Sequence, residues 1–327
     1  MKHTCSICTI IKDEVQYLDE WINYNLNKVG AEHIYIYEDL ESESHKEITD
    51  KYKDKVSLFY IKDIMHDIDC EQKQITTFKY FLDKYKDKLD FVAFIDIDEF
   101  IDFEENYSME QLMNDFEDYN GVYLYWKTYG ANQQIYNDPS KGVLEHFTTL
   151  ADTLDCDCVF DFKTVLNTKK KGSSMKTHHE AYDGVNTEFS YDLREKTYSK
   201  AWINHYFTKS WEEWLYRFTK RGDIVSGHRK LEQFFETNKD MAHLESELVN
   251  EAKIKYNITD KFLEKMEHMK ELDREEMRKM KFEDRVKMLR ERAAERHEGR
   301  KHGKSLFFEH FEKFKQMQKE KENKQEN

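Results

Sequence analysis

Asp96, Asp98 and Glu99 follow directly on the apolar run at 91–95 in the segment FVAFIDIDEFI. Carboxylates are costly to bury unless cations or hydrogen-bond donors meet them, so a run that reads as a buried strand and ends in acids marks a site. In an extended segment Asp96 and Asp98 point the same way and Ile97 the other. Two carboxylates on one side make a hard oxygen site for Mg²⁺ or Mn²⁺, ions that keep open positions for a substrate phosphate. A nucleotide diphosphate is the natural third party. When a sugar leaves such a diphosphate, negative charge builds on the leaving group, and a bridging cation stabilises it. Asp96 and Asp98 are therefore the expected metal clamp. Glu99 beside them is the candidate general base on an acceptor hydroxyl, with Asp98 the other candidate catalytic carboxylate.

The elements that must position these acids alternate along the first hundred residues. An apolar run at 5–11 is followed by helical periodicity through Val15, Leu18, Ile22, Leu26 and Val29. Strands are expected at 33–37, 56–61 and 91–95, with helices near 44–53 and across 72–86 between them. This β-α-β-α-β-α-β order predicts parallel strands and a doubly wound α/β sheet with helices on both faces. Ligands of such sheets sit outside the carboxyl ends of the strands, where Asp96 and Asp98 lie. Short β-like runs at 121–130, 160–168 and 201–210 complete the sheet. From 211 the pattern turns helical, and a composition shift near 240 divides an expected catalytic domain, 1–240, from a charged helical extension, 241–327.

Composition bounds the class. Of 327 residues 39% are hydrophobic, 36% charged and 14% aromatic, too aromatic for disorder and too polar for a membrane protein. The N-terminal apolar run is too short for a signal peptide and no segment reaches the length of a membrane span, so the expectation is a cytoplasmic protein. Five cysteines, an odd number, read as reduced thiols, and Cys5 and Cys8 as core packing rather than half of a zinc site with Cys156 and Cys158.

The segments TIIKDEVQYLDEWINYNLNKVGAEHIYIYED, FIDIDEFI and INHYFTKSWEEWLYRFTKRG resemble, in order and spacing, glycosyltransferase family 92 and the related family 2-like enzymes. The resemblance implies a GT-A fold, Rossmann-like and mostly parallel, and sugar transfer from a nucleotide donor, a UDP-sugar first, to a glycan or lipid-linked acceptor with Mn²⁺ or Mg²⁺. An inverting, hexosyltransferase-like reaction is expected. The family's Lys-Asn-Glu turn falls on Lys12, Asp13 and Glu14, with Asp in place of Asn. Asp13 with Gln16 forms a plausible helix-capping box. Because the first strand's end faces the nucleotide in such folds, Thr9, Lys12 and Glu14 are candidate contacts, and Asp39 is a candidate for base or ribose. His205, in the late Asn-His-Tyr, is the expected third metal ligand, and Lys209 follows it as a donor-site candidate. Lys163 matches a family lysine that would neutralise a phosphate. His178, beside Lys176, His179 and Glu180, falls where the family carries a histidine. Glu180 is the reserve base.

Two other readings stand beside this one. A nucleotidyltransferase shares the sheet and the carboxylates but wants a glycine-rich loop after the first strand, which TIIKDEVQY lacks. A non-catalytic scaffold on a transferase core would not need Asp96, Asp98 and His205 intact. In the extension, 278–304 carries 11 Lys and Arg against 5 Asp and Glu, while the whole chain is −14. Its apolar stripe reads first as packing or homo-oligomerisation and second as peripheral contact with an anionic membrane. The acidic remainder argues against nucleic acid as a partner.

Overall fold

A computed structural model describes residues 3–39, 42–64, 73–151, 162–170, 175, 185–186, 191–192, 197–198, 200–218 and 231–255. Strand β1 (Cys5–Ile11) leads into α1 (Val15–Tyr24), which continues as one π-helical turn (Asn25–Val29) and stops at Gly30, whose φ of 79° is left-handed. There follow β2 (Ile34–Glu38), α2 (Glu43–Asp50), β3 (Val56–Tyr60), α3 (Ile61–Ile64), α4 (Lys73–Tyr85) and β4 (Phe91–Phe94). Helices and strands of this half fall where the periodicity places them. The second half holds β5 (Glu99–Phe103), α5 (Met109–Asp115), β6 (Gly121–Thr128), α6 (Val143–His146) and β7 (Phe162–Asn167). Three two-residue strands, β8 (Val185–Asn186), β9 (Tyr191–Asp192) and β10 (Thr197–Tyr198), precede β11 (Ala201–His205). Helices α7 (Trp211–Tyr216), α8 (Gln233–Thr237) and α9 (Glu245–Lys255) close the described chain.

Among the described residues the main sheet runs β3-β2-β1-β4-β7-β6-β11-β5. The first four strands are parallel, and β1, central among them, is buried along its whole length, as its unbroken apolar sequence demands. Alternate side chains build two cores. Ile7, Ile11, Ile34, Ile36 and Ala93 pack with Leu18, Trp21 and Ile22 of α1 and Leu112 of α5. On the opposite face Cys8, Ile10, Val92 and Phe94 meet Phe78, Phe81 and Leu82 of α4. Cys5 and Cys8 thus belong to different faces, which denies them a shared zinc, and burial pushes the Cys5 thiol up to about 12.

Beyond β4 the sheet is mixed. Strand β7 is antiparallel to β4 and β6, β11 is parallel to β6, and β5 is antiparallel to β11. The carboxyl ends of β1, β2, β4, β6 and β11 therefore share one edge with the amino ends of β7 and β5. Only residues 95–98 link β4 to β5, although β5 stands at the far end of the strand order, so the sheet must curl to close that gap. A third apolar cluster joins Trp211 and Trp214 of α7, Phe234 and Phe235 of α8 and Leu248, Val249 and Ala252 of α9, and so straddles residue 240. His178, Glu180, Cys156, Cys158 and the basic stretch 278–304 lie outside the described residues. Among those described, no helix is long and apolar enough to cross a membrane.

Gly121 shows how tightly β6 and β7 are laid together. A Cβ there would stand 2.5 Å from the carbonyl oxygen of Val165 and 3.1 Å from Leu166 Cα, both backbone atoms in the paired strand. Gly121→Ala is expected to cost about 1–3 kcal/mol, the usual penalty for overpacking, read as a lower urea midpoint at unchanged m-value. An unchanged midpoint would mean that the two strands separate without cost.

Candidate active site

Strands β2 and β3 lie on one side of β1 and β4 on the other, so the strand order reverses between β1 and β4. A crevice opens at such a switch point, outside the carboxyl ends of the two strands. The 12–14 turn stands on one side of it and the acidic 96–99 segment on the other.

The acids do not continue the strand. Extended alternation is replaced by a tight turn because the chain must pass from β4 into β5 within four residues, and the Glu99 N–H closes it on Asp96 O at 3.1 Å. Glu99 Oε2 in return accepts the Asp96 N–H at 2.7 Å, so the turn is fastened in both directions. The Glu99 side chain is 0% exposed, and burial drives its carboxyl well above the usual carboxylate range against the pull of Lys163. As general base it meets a geometric obstacle: the carboxylate faces inward, onto the turn it fastens and onto Lys163 Nζ at 3.7 Å.

Asp96 and Asp98 have different partners. Asp96, 31% exposed, accepts from Lys163 Nζ at 2.6 Å and from Gln74 Nε2 of α4 at 2.9 Å. Lys163 reaches it because β7 runs antiparallel beside β4, with Val165 opposite Ala93. The lysine is buried, which by itself would lower its pKa, but Asp96 and Glu99 outweigh that and hold the ammonium above its ordinary value. Asp98, 6% exposed, accepts from Arg217 Nη2 at 2.9 Å, and Arg217 Nη1 donates to Phe207 O at 2.6 Å.

His205 also comes to Asp98. The β11–β5 register sets it opposite Glu99, and Tyr206 N–H extends the pairing to Asp98 O at 2.9 Å. Its Nε2 stands 3.9 Å from Asp98 Oδ1, too far for a hydrogen bond. Burial pushes the imidazole down to about 4 despite the attraction of Asp98, which keeps it neutral. The ring packs on Trp126 with centroids 4.0 Å apart, and among the described residues its buried Nδ1 has no hydrogen-bond partner. A carboxylate oxygen beside a neutral imidazole nitrogen suits Mn²⁺ in donor type. Asp96 is turned toward Lys163 and Gln74, and among the described residues no three His, Cys, Asp or Glu side chains form a group that could hold an ion.

Across the crevice, Glu14 Oε2 lies 3.6 Å from Lys209 Nζ, and that ammonium also covers the Tyr17 ring at 4.7 Å. Asp39 pairs with Lys73 of α4. Lys12 is buried, and Thr9 lies inside β1 with no hydrogen-bond partner for its hydroxyl among the described residues. The expected Asp13 capping box is absent. Glu14 is the N-cap and makes no side-chain cap, Asp13 takes a left-handed φ of 55° and accepts from the Tyr216 hydroxyl, and Gln16 is engaged by Asn137. Tertiary partners outcompete the local motif. A complete capping box forms instead at Ser210 and Glu213, at the start of α7. Arg217 and Gln74 were not singled out from the sequence. The only available signal for Arg217 was its place in the late basic segment that follows Asn-His-Tyr.

A family model, glycosyltransferase family 92, matches residues 2–279. No curated protein matches the chain. Among solved structures, residues 1–349 of S. aureus TarS in complex with UDP align with TM-score 0.31 and 13% identity over 50% of this chain and 47% of that one. S. aureus TarS in another structure gives 0.30 and 13%, over 50% and 28%. A putative glucose-1-phosphate thymidylyltransferase from Bacillus anthracis, in complex with a sucrose, gives 0.27 and 10%, over 51% and 72%. The chain spans less than half the length of the TarS chains it matches.

The Arg217–Asp98 pair is nearly dry at both ends, so removing one partner strands the other. Arg217→Met is expected to lose about 3–5 kcal/mol of unfolding free energy, and the double variant Arg217→Met/Asp98→Asn less than the sum of the two single losses. A denaturant-unfolding cycle measures this. Strict additivity would show the two groups to be uncoupled.

Proposed function

The chain belongs to glycosyltransferase family 92, and on the geometry of the crevice we propose that it transfers a sugar from a nucleotide diphosphate donor, a UDP-sugar first, to a glycan or lipid-linked acceptor. The observation that carries this is the convergence, at the switch point between β1 and β4, of Asp96, Asp98, His205, Lys163 and Arg217 from four separate stretches of chain. A sugar leaves a diphosphate as the bond from the anomeric carbon to the phosphate oxygen breaks. The acceptor hydroxyl oxygen forms the new bond to the anomeric carbon, the nucleoside diphosphate departs with the bonding electron pair, and the hydroxyl proton passes to water or to the departing phosphate. Lys163 and Arg217 supply fixed positive charge where the departing diphosphate gains negative charge, and charge on side chains as buried as these counts for more than in water. Lys12, Glu14 and Asp39 line the nucleotide side, with Lys209 holding Glu14 in place.

Mn²⁺ or Mg²⁺ is part of this reading. Asp98 and His205 offer donor types that suit the ion, and Asp96, once released from Lys163 and Gln74, would be the third ligand. A bound ion would neutralise charge on the leaving diphosphate. The fold is the GT-A type expected of the family, a mixed α/β sheet whose first half is parallel.

A panel of UDP-, GDP-, CDP- and ADP-sugars, each with Mn²⁺ and with EDTA, tests the reading by donor hydrolysis and thermal shift. One donor is expected to be hydrolysed with Mn²⁺ only, and Asp98→Asn to lower that rate at least about 100-fold, the scale of losing one electrostatic stabiliser. Turnover of a nucleoside triphosphate with a sugar phosphate, releasing pyrophosphate, would instead make the chain a nucleotidyltransferase. Full activity in a folded Asp98→Asn would remove the metal clamp.

A further inference from the structure

Glu38, the last residue of β2, and His45, in the first turn of α2, form a carboxylate–imidazole pair with no exposed surface, Oε1 to Nδ1 at 2.5 Å. Nε2 of the same ring stands 3.2 Å from the backbone nitrogen of Glu14, which donates to it. A backbone N–H can only donate, so Nε2 must be bare, and the ring proton must sit on Nδ1, where Glu38 accepts it. The carboxylate therefore selects the tautomer, and the tautomer holds the turn.

That turn is unusual in two respects. Asp13 holds a left-handed φ of 55°, a region that glycine favours and Asp enters only as an isolated residue, and α1, with Glu14 as its N-cap, starts without a side-chain cap. Its shape is therefore imposed by partners from outside. Tyr216 takes the Asp13 carboxylate, Lys209 stands by the Glu14 carboxylate, and His45 alone of the three holds the backbone. His45 also ties the turn to the end of β2, where Asp39 N–H bonds Ile11 O at 3.0 Å. The two segments joined by the ring, 12–14 and 38–39, are the strand ends assigned above to the nucleotide.

We propose that the Glu38–His45 pair is a positioning device for the nucleotide subsite: the imidazole, oriented by Glu38, fixes the Glu14 backbone and with it the 12–14 turn against the end of β2. This rests on the nucleotide-donor reading. His45 touches no substrate and acts through Glu14, so its loss weakens nucleotide binding and raises the donor KM while leaving kcat little changed.

Two substitutions split the two contacts of the ring. The amide of His45→Asn takes the place of Nδ1 and keeps the bond to Glu38, whereas the amide of His45→Gln takes the place of Nε2 and accepts from Glu14. Calorimetric titration of the full chain with UDP, GDP, CDP and ADP in the presence of Mn²⁺ identifies the nucleotide that the unaltered chain binds. For that nucleotide, His45→Asn is expected to weaken binding at least tenfold and His45→Gln less than threefold, both measured at a temperature where each variant is folded. Equal weakening by both, or by neither, overturns the proposal and leaves the donor reading standing. Binding of none of the four by the unaltered chain overturns the donor reading and this inference with it. Should a variant fail to fold, ¹H–¹⁵N couplings of the histidine ring in the unaltered chain decide: a protonated Nδ1 with a bare Nε2 is expected, and a protonated Nε2 sinks the proposal.

Discussion

Three carboxylates within four consecutive positions crowd the end of β4, and almost nothing of two of them is left to water. Such a turn is sustainable only if positive charge or donors arrive from elsewhere in the chain, because desolvating an acid costs several kcal/mol before any partner is counted. Lys163 and Arg217 supply the charge and the Asp96 N–H supplies the donor. The topology is arranged to deliver them. A sheet that stayed parallel beyond β4 would place the next strand's amino end at the opposite edge. The antiparallel insertion of β7 instead puts an early residue of that strand, Lys163, beside Asp96, and the β11–β5 pairing brings His205 to the same point.

The turn is also tied mechanically to the other wall of the crevice. The Trp21 indole donates to Glu99 O at 2.8 Å and the Tyr24 hydroxyl to Ile101 O at 2.9 Å, so α1 is pinned to the start of β5. The N-cap of the same helix, Glu14, stands against His45 and Lys209, and the Tyr17 hydroxyl of α1 reaches Glu213 of α7 at 2.8 Å. One helix therefore sets the separation between the 12–14 turn and the acidic turn. Because its Leu18, Trp21 and Ile22 are buried in the main core, that spacing inherits the rigidity of the core.

The legible parts of the sequence were those governed by local pattern. Strands such as β1 and β4, buried on both faces, read as unbroken apolar runs, and α1 and α4 carry the helical period that packs them on the sheet. The acids at the end of β4 announced a site because their burial had to be explained. What the residues alone did not give was partnership. Nothing local to Lys163 says that an antiparallel strand will set it beside Asp96, and Arg217 meets Asp98 only through the fold of α7. The direction of Glu99 was equally hidden, since its side chain follows from a turn that strand alternation does not describe. Asp13 and Gln16 show the opposite error: a sound local capping motif yields to Tyr216 and Asn137, while the equally plain Ser210–Glu213 box is the one that forms.

The two aspartates of the motif are consequently unequal, although the sequence writes them as a symmetric pair. Asp98 is buried, fixed on one oxygen by a guanidinium that is itself fastened to Phe207 O, with its other oxygen directed toward His205. Asp96 keeps about a third of its surface in water and is held by a lysine and a glutamine. A planar fork with two bonds in place holds its partner more firmly than a single ammonium on a flexible stem. Exchange between protein partners and an incoming charged group is therefore cheaper at Asp96, where solvent already reaches the carboxylate. Asp98 with Arg217 and His205 forms the fixed part of the crevice, and Asp96 with Lys163 the part that can respond to what enters it.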